Sequence, residues 1–153
     1  MEITRFMNRS LAHAAHLAYL EGAEQTHRFV AQLAAVTVYL SRSDSQVGLA
    51  SELEVLQTLI AAINDAEDGA RTVHLELDAA PAEDRLAGGP AEARVARGSI
   101  LRVVIDWLYG GQVSRDVRQL HLIGRYNRAA GSYRLTCREA AVSVDVQTWR
   151  DTA

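Results

Sequence analysis

The stretch LHLIGRYNRAAGSYRLTC, residues 120–137, alternates apolar and polar side chains on both sides of a short run rich in Ala and Gly. Alternation with a period of two is typical of strands that bury one face, so the stretch predicts a β-hairpin with a turn over residues 127–131. Residues 72–78 (TVHLELD) alternate in the same way and predict a further strand, and residues 142–146 predict one more. A sheet is therefore the expected framework of the C-terminal half.

The N-terminal region follows a helical pattern instead. Apolar residues recur at helical spacing over residues 2–20 and again over residues 23–41, with Gly22 between the two runs. Because the turn is short, the two helices are expected to pack antiparallel. Neither helix has enough expected neighbours in this chain to cover its apolar stripe, and dimerisation into a four-helix bundle would cover both.

Two more helices are expected between the N-terminal helices and the hairpin. Residues 50–64 predict a core helix with Ser51 as its N-cap, and residues 99–109 predict a helix that ends at Gly110. Residues 79–94 are rich in Ala, Pro, Gly and acid and predict a loop that leads into a short strand near residue 95. The order of elements favours an α+β fold with helices layered on a sheet over a doubly wound fold.

Composition excludes several classes of function. The net charge is −3, with charges of both signs spread along the chain, so we expect no nucleic-acid partner. All 16 basic residues are Arg, which excludes every mechanism that needs a lysine. Cys137 is the one cysteine and is expected to be a buried thiol, although Arg138 beside it leaves open an activated one. No apolar run has the length of a membrane span, and we expect a cytoplasmic protein without membrane insertion.

Residues 47–54 (VGLASELE) resemble the "V-x-L-x-x-E-L-E" segment that follows the helical hairpin in LytS-type sensor histidine kinases. Residues 5–8 (RFMN) resemble the end of that family's phosphoacceptor motif "P-H-F-L-F-N", and residues 33–39 resemble the end of its second hairpin helix. Residues 99–111 resemble its helix "L-L-Q-P-L-V-E-N-A-x-x-H-G". The resemblance implies a hairpin dimerisation domain over residues 1–45 and a small, truncated histidine-kinase-ATPase-like α/β sandwich over residues 46–153.

The same resemblance implies that the catalytic residues are lost. Thr4 stands where the family carries its phosphorylated histidine, and a threonine cannot form the N-phosphoryl bond. Asp106 stands where the family has the Asn that helps to hold the metal at the ATP phosphates, and its carboxylate could still ligate Mg²⁺. The chain contains no G-x-G, which a phosphate-binding loop needs, so we expect neither ATP nor another cofactor. By analogy a partner would dock near Thr4, Arg5 and Asn8.

His13 and His16 are the alternative phosphoacceptors on the first helix. At about 100° per residue they lie about 180° and 120° around the helix from Thr4, so neither shares its face. The pair could also bind a metal, but no third ligand is evident. His74 and His121 are expected to face solvent from their strands, and Glu52 and Glu54 are interpreted as first-turn acids that favour their own helix dipole.

Together these features predict a catalytically degenerate, histidine-kinase-like homodimer that engages a response regulator or a sensor kinase in bacterial two-component signalling. A second hypothesis is a histidine phosphotransferase, because residues 4–8 (TRFMN) also resemble the "H-D-W-M-N" motif of sporulation-type phosphotransferases. That activity would need a shifted acceptor, His13 or His16. A third possibility is that the chain is a fragment of a longer receptor.

Overall fold

The computed structural model describes residues 2–20, 22–42, 45–67, 71–78, 93–111, 113–114 and 116–150. The fold of these residues is α+β. In chain order the elements are α1 (Glu2–Leu20), α2 (Glu24–Ser41), β1 (Gln46–Gly48), α3 (Leu49–Glu67), β2 (Thr72–Leu77), β3 (Ala93–Ala96), α4 (Ser99–Tyr109), β4 (Gln119–Asn127), β5 (Ser132–Cys137) and β6 (Val142–Arg150).

Most predicted elements are found close to their predicted bounds, and the differences have physical reasons. The helix α3 begins at Leu49, immediately after β1, so Ser51 lies inside the helix and the prediction of an N-cap there is wrong. The three-residue strand β1 was not predicted, because so short a run shows no alternation. The strand β6 continues to Arg150, four residues beyond its predicted end. The loop predicted over residues 79–94 lies outside the described residues as far as residue 92.

The six strands form one sheet in the order β1-β3-β6-β5-β4-β2. Every neighbouring pair is antiparallel except β2 and β4, which run parallel with Thr72 opposite Gln119 and His74 opposite His121. The predicted hairpin is the β4–β5 pair, in which Asn127 lies opposite Ser132. Among the described strands, β1 and β2 therefore form the two edges of the sheet.

The core lies between one face of the sheet and the helices α3 and α4. Both helices bury an apolar stripe at helical spacing, and the strands contribute every second side chain, as their alternation predicts. Fully buried core side chains include Leu49, Leu56, Ile100, Leu101, Val104, Leu120, Leu122, Tyr133, Leu135 and Cys137. The opposite face of the sheet carries mainly polar and charged side chains.

The helices α1 and α2 pack against each other, and α2 also packs against α3. Val36 of α2 is buried in the same cluster as the core of the sheet, and Leu33 and Leu40 lie against that cluster. The expectation that neither N-terminal helix finds cover within the chain is therefore wrong for α2. It holds in part for α1, where Leu17 and Leu20 remain 43% and 65% exposed.

Candidate functional site

The residues that resemble the phosphoacceptor segment lie in α1. Thr4, Arg5 and Asn8 belong to the helix, but their side chains lie outside the described part of the structure. The proposed docking role of these three residues therefore stays a prediction.

The two alternative acceptors lie on different sides of α1. Ala15 is buried, and at about 100° per residue His13 lies about 160° around the helix from it, in the same direction as Leu17 and Leu20. His16 is exposed as well, but it lines a shallow groove of about 500 Å³ between α1 and α2 together with His27 and several alanines. The structure thus places His13 on the outward face of α1 and His16 beside α2.

Asp106 lies in the last turns of α4 and is exposed. Its main-chain carbonyl accepts a hydrogen bond of 2.7 Å from the Gly110 N–H, which closes the helix as the Gly-Gly sequence predicts. A groove of about 450 Å³ runs between α2, α3 and α4, and its walls include Ile105 and Tyr109 but not the aspartate between them. That groove is lined almost wholly by apolar side chains, with Thr37 and Tyr109 as its polar members.

A buried carboxylate joins three helices at one point, and sequence reasoning misjudged it. Glu52 in the first turn of α3 is 0% exposed. Its Oε1 accepts hydrogen bonds from the Tyr39 hydroxyl of α2 and from the Gly98 N–H at 3.0 Å. Its Oε2 accepts two, from the Ile100 N–H at 3.1 Å and from the Leu101 N–H at 3.5 Å. The carboxylate therefore caps α4 rather than acting only on the dipole of its own helix. Glu54 is exposed, as expected for a surface acid.

Three residues around the Glu52 carboxylate, Tyr39, Arg97 and Gly98, stabilise its position. Burial and the hydrogen bond to Glu52 raise the pKa of Tyr39, so its hydroxyl remains a donor throughout the physiological range. The Arg97 guanidinium lies 4.6 Å from the centre of the Tyr39 ring. Gly98 has a φ of 79°, and a Cβ at this position would lie 2.7 Å from the Leu40 Cδ2. The site is a structural joint between α2, α3 and α4.

A second polar cluster lies on the solvent face of the sheet. The rings of His74 and His121, opposite each other on β2 and β4, stack with centroids 4.8 Å apart. His74 Nε2 lies 2.5 Å from the Gln119 Oε1, and His121 Nδ1 lies 3.0 Å from the Glu139 Oε2. Although burial opposes it, hydrogen bonds from the His121 main chain and ring lower the pKa of the Glu139 carboxyl. Both histidines face the outer side of the sheet, as the alternation of their strands predicts.

Three features considered in the sequence remain: the thiol of Cys137, a metal site and a membrane span. Cys137 is fully buried and burial raises the pKa of its thiol, which confirms the buried thiol and contradicts the activated one. In the part of the chain that the structure describes, no three His, Cys, Asp or Glu side chains are grouped closely enough to hold a metal ion. Among the same residues, no helix combines the length and apolar character that crossing a membrane requires.

Comparison of the chain with protein-family models finds no match. A search of the curated proteins also finds no significant relative. The likeness to LytS-type kinases and to sporulation-type phosphotransferases therefore rests on the short motifs quoted above and stays a prediction.

Proposed function

We propose that this chain is a catalytically degenerate, histidine-kinase-like homodimer that acts through protein contacts in bacterial two-component signalling. In this proposal α1 and α2 of two copies form a four-helix bundle, and the bundle engages a response regulator or a sensor kinase. The resemblance of residues 47–54 and 99–111 to the kinase family supplies the signalling context. The exposed apolar face of α1 is the observation that carries the dimer.

That face is opposite the contact of α1 with α2. Leu20 and Leu17 lie about 140° and 200° around the helix from buried Ala15, so both point away from α2. Val38 of α2 is also exposed. Complete burial of one leucine stabilises an association by about 1.5 to 3 kcal/mol, so a second copy that covers this face on both chains gains several kcal/mol before the cost of association.

The loss of kinase chemistry is supported by two residues. Thr4 has no imidazole that could carry a phosphoryl group, and Asp106 is exposed outside the groove beside α4. A titration of the protein with Mg²⁺ and ATP, followed by thermal unfolding, tests this part of the proposal. We expect no change in the melting temperature, whereas a Mg²⁺-dependent rise would mean that a nucleotide binds the native state and would contradict the proposal.

Sedimentation velocity of the wild-type chain and of a Leu17→Glu/Leu20→Glu variant tests the dimer. We expect a wild-type dimer and a folded, monomeric variant, because a buried carboxylate pair is strongly unfavourable in an apolar interface. Val144→Glu is the matched control, since Val144 of β6 is a similarly exposed apolar residue away from α1. A wild-type monomer at every concentration, or a double variant that stays dimeric, would contradict the proposal.

A histidine phosphotransferase remains the second candidate, and the position of His13 favours it. His13 is exposed on the same outward face of α1 as Leu17 and Leu20, where an incoming phosphoryl donor can reach it. Incubation with a phosphorylated response regulator tests this activity. An acid-labile phosphoryl group on the chain that is lost in His13→Gln but kept in His16→Gln would support transfer, and the absence of label would refute it.

A further inference from the structure

The strand β2 forms an edge of the sheet, and its hydrogen bonds define which residues face outward. The Thr72 N–H donates to the Arg118 carbonyl at 2.8 Å, and the Asp78 N–H donates to the Gly124 carbonyl at 2.9 Å. In a strand, the N–H and C=O of one residue point to the same side and alternate from residue to residue. Even-numbered residues of β2 therefore bond to β4, and Val73, Leu75 and Leu77 present their main-chain groups to the open edge.

Part of this edge is closed by a side chain. The Asn64 carboxamide of α3 accepts a hydrogen bond of 2.8 Å from the Val73 N–H and donates one of 3.0 Å to the Val73 carbonyl. The asparagine thus occupies the position that a further strand would take at Val73. Such a blocked edge is a common protection against unwanted strand pairing.

Among the residues that the structure describes, this closure of the edge extends no further than Val73. Within the described residues, the outward-facing main-chain N–H and C=O groups of Leu75 and Leu77 make no hydrogen bond. Two N–H donors and two C=O acceptors are therefore available in the geometry that an added strand requires. The side chains of Leu75 and Leu77 are partly buried against the core, so an added strand would continue the apolar layer on that face.

Two acidic side chains, Glu76 and Asp78, lie on the solvent-facing side of the sheet next to the open main-chain groups of Leu75 and Leu77. Glu76 and Asp78 are 68% and 45% exposed, and both bind the same Arg125 guanidinium, at 3.0 and 3.1 Å. Two carboxylates thus share one cation. Directly opposite cross-strand neighbours lie about 5 Å apart, so basic side chains on an added strand would complement this row.

A second copy of β2 fits this edge poorly. Antiparallel self-pairing through Leu75 and Leu77 alone places Glu76 opposite the same glutamate of the second copy, and like charges in that position destabilise a pair. Self-pairing centred on Leu75 would instead need the main-chain groups of Val73, which Asn64 occupies. Charge repulsion therefore disfavours the first register, and the Asn64 hydrogen bonds disfavour the second.

We infer that the open edge at Leu75 and Leu77 is a docking site for an extended peptide segment of another protein, with apolar residues alternating with basic ones. The peptide adds a strand to β2, its apolar residues continue the core face and its basic residues face Glu76 and Asp78. Asn64 sets the end of the site at Val73. This site is separate from the α1 face, so its test does not depend on the dimer.

A short, capped peptide of alternating Val and Arg is the probe. With isotope-labelled protein, we expect the peptide to slow amide hydrogen exchange at Leu75 and Leu77 by about tenfold or more. Exchange at Val73, whose N–H already bonds to Asn64, should change little. A peptide of alternating Val and Glu should bind at least about tenfold more weakly and serves as the charge control. Binding without slower exchange at Leu75 and Leu77, or no binding, would overturn the inference.

Variants of the chain distinguish the contribution of the edge hydrogen bonds to peptide binding from that of the acidic side chains. Leu77→Pro removes an edge donor without touching a hydrogen bond to β4, and Leu77→Ala removes side-chain contacts but keeps the donor. We expect the first to bind the peptide about tenfold more weakly than the second. If Leu77→Pro does not fold, E76Q/D78N tests the site, because its affinity should fall and depend less on salt. If these variants bind the peptide as tightly as wild type does, the inference is wrong. If the wild-type protein self-associates and Leu77→Pro abolishes that self-association, the edge binds a second copy and the proposed peptide partner is wrong.

Discussion

Replacement of Glu52 by Gln tests whether one buried carboxylate holds α2, α3 and α4 together. The wild-type oxygens accept hydrogen bonds from one hydroxyl and three main-chain N–H groups. A carboxamide has one oxygen, so its NH₂ group must face either the Gly98 N–H or the N–H groups of Ile100 and Leu101, and at least one buried donor loses its partner. An unpaired buried donor costs about 1 to 3 kcal/mol. Loss of the negative charge at the start of α4 adds about 0.5 to 2 kcal/mol.

We therefore expect Glu52→Gln to lower the free energy of unfolding by about 1.5 to 5 kcal/mol, a large part of the stability of a domain of this size. Urea unfolding followed by circular dichroism measures the change. Glu54→Gln is the matched control, because Glu54 lies on the same helix but is exposed, and we expect its effect to stay within about 0.5 kcal/mol. The effects of Tyr39→Phe and Glu52→Gln should not be additive, since the Tyr39 hydroxyl bonds to the same group that Glu52→Gln changes. A loss below about 0.5 kcal/mol in Glu52→Gln would refute the joint.

Three further outcomes follow from the sheet. Gly124→Ala should destabilise the protein by about 1 to 3 kcal/mol, because its Cβ would lie 2.3 Å from the hydroxyl oxygen of buried Tyr133; an unchanged melting temperature would contradict this. The pKa of Glu139 is lowered in the folded state, so the stability that its ionised carboxylate contributes is present above the ordinary carboxyl pKa of about 4.3 and is lost as pH falls through the lowered value. The difference in unfolding free energy between wild type and Glu139→Gln should therefore shrink on acidification. A difference that stays constant with pH would contradict this prediction. Cys137 should react with a thiol reagent at least about tenfold more slowly in the native protein than in urea, because the thiol is buried and its pKa is raised; equal rates would show that the core opens readily.

The local elements of this fold follow from the sequence for simple reasons. Strands with one buried face must alternate, and helices with one buried stripe must repeat every three or four residues, so β4, β5, α1 and α4 could be predicted within one residue of their bounds. The Gly-Gly end of α4 is equally local, since a helix C-terminus is closed within one turn. The predicted homodimer and its signalling partners go beyond such local rules and remain proposals.

Contacts between distant residues were decided only by tertiary structure. The strand β1 shows no pattern of its own and exists because β3 pairs with it. Glu52 looked like an ordinary first-turn acid, yet it meets Gly98, a residue far along the chain, because α3 and α4 pack side by side. The stack of His74 on His121 depends in the same way on the pairing of β2 with β4. Sequence periodicity determines which face of each element is buried, whereas the side chains that meet across elements depend on how those faces are packed together.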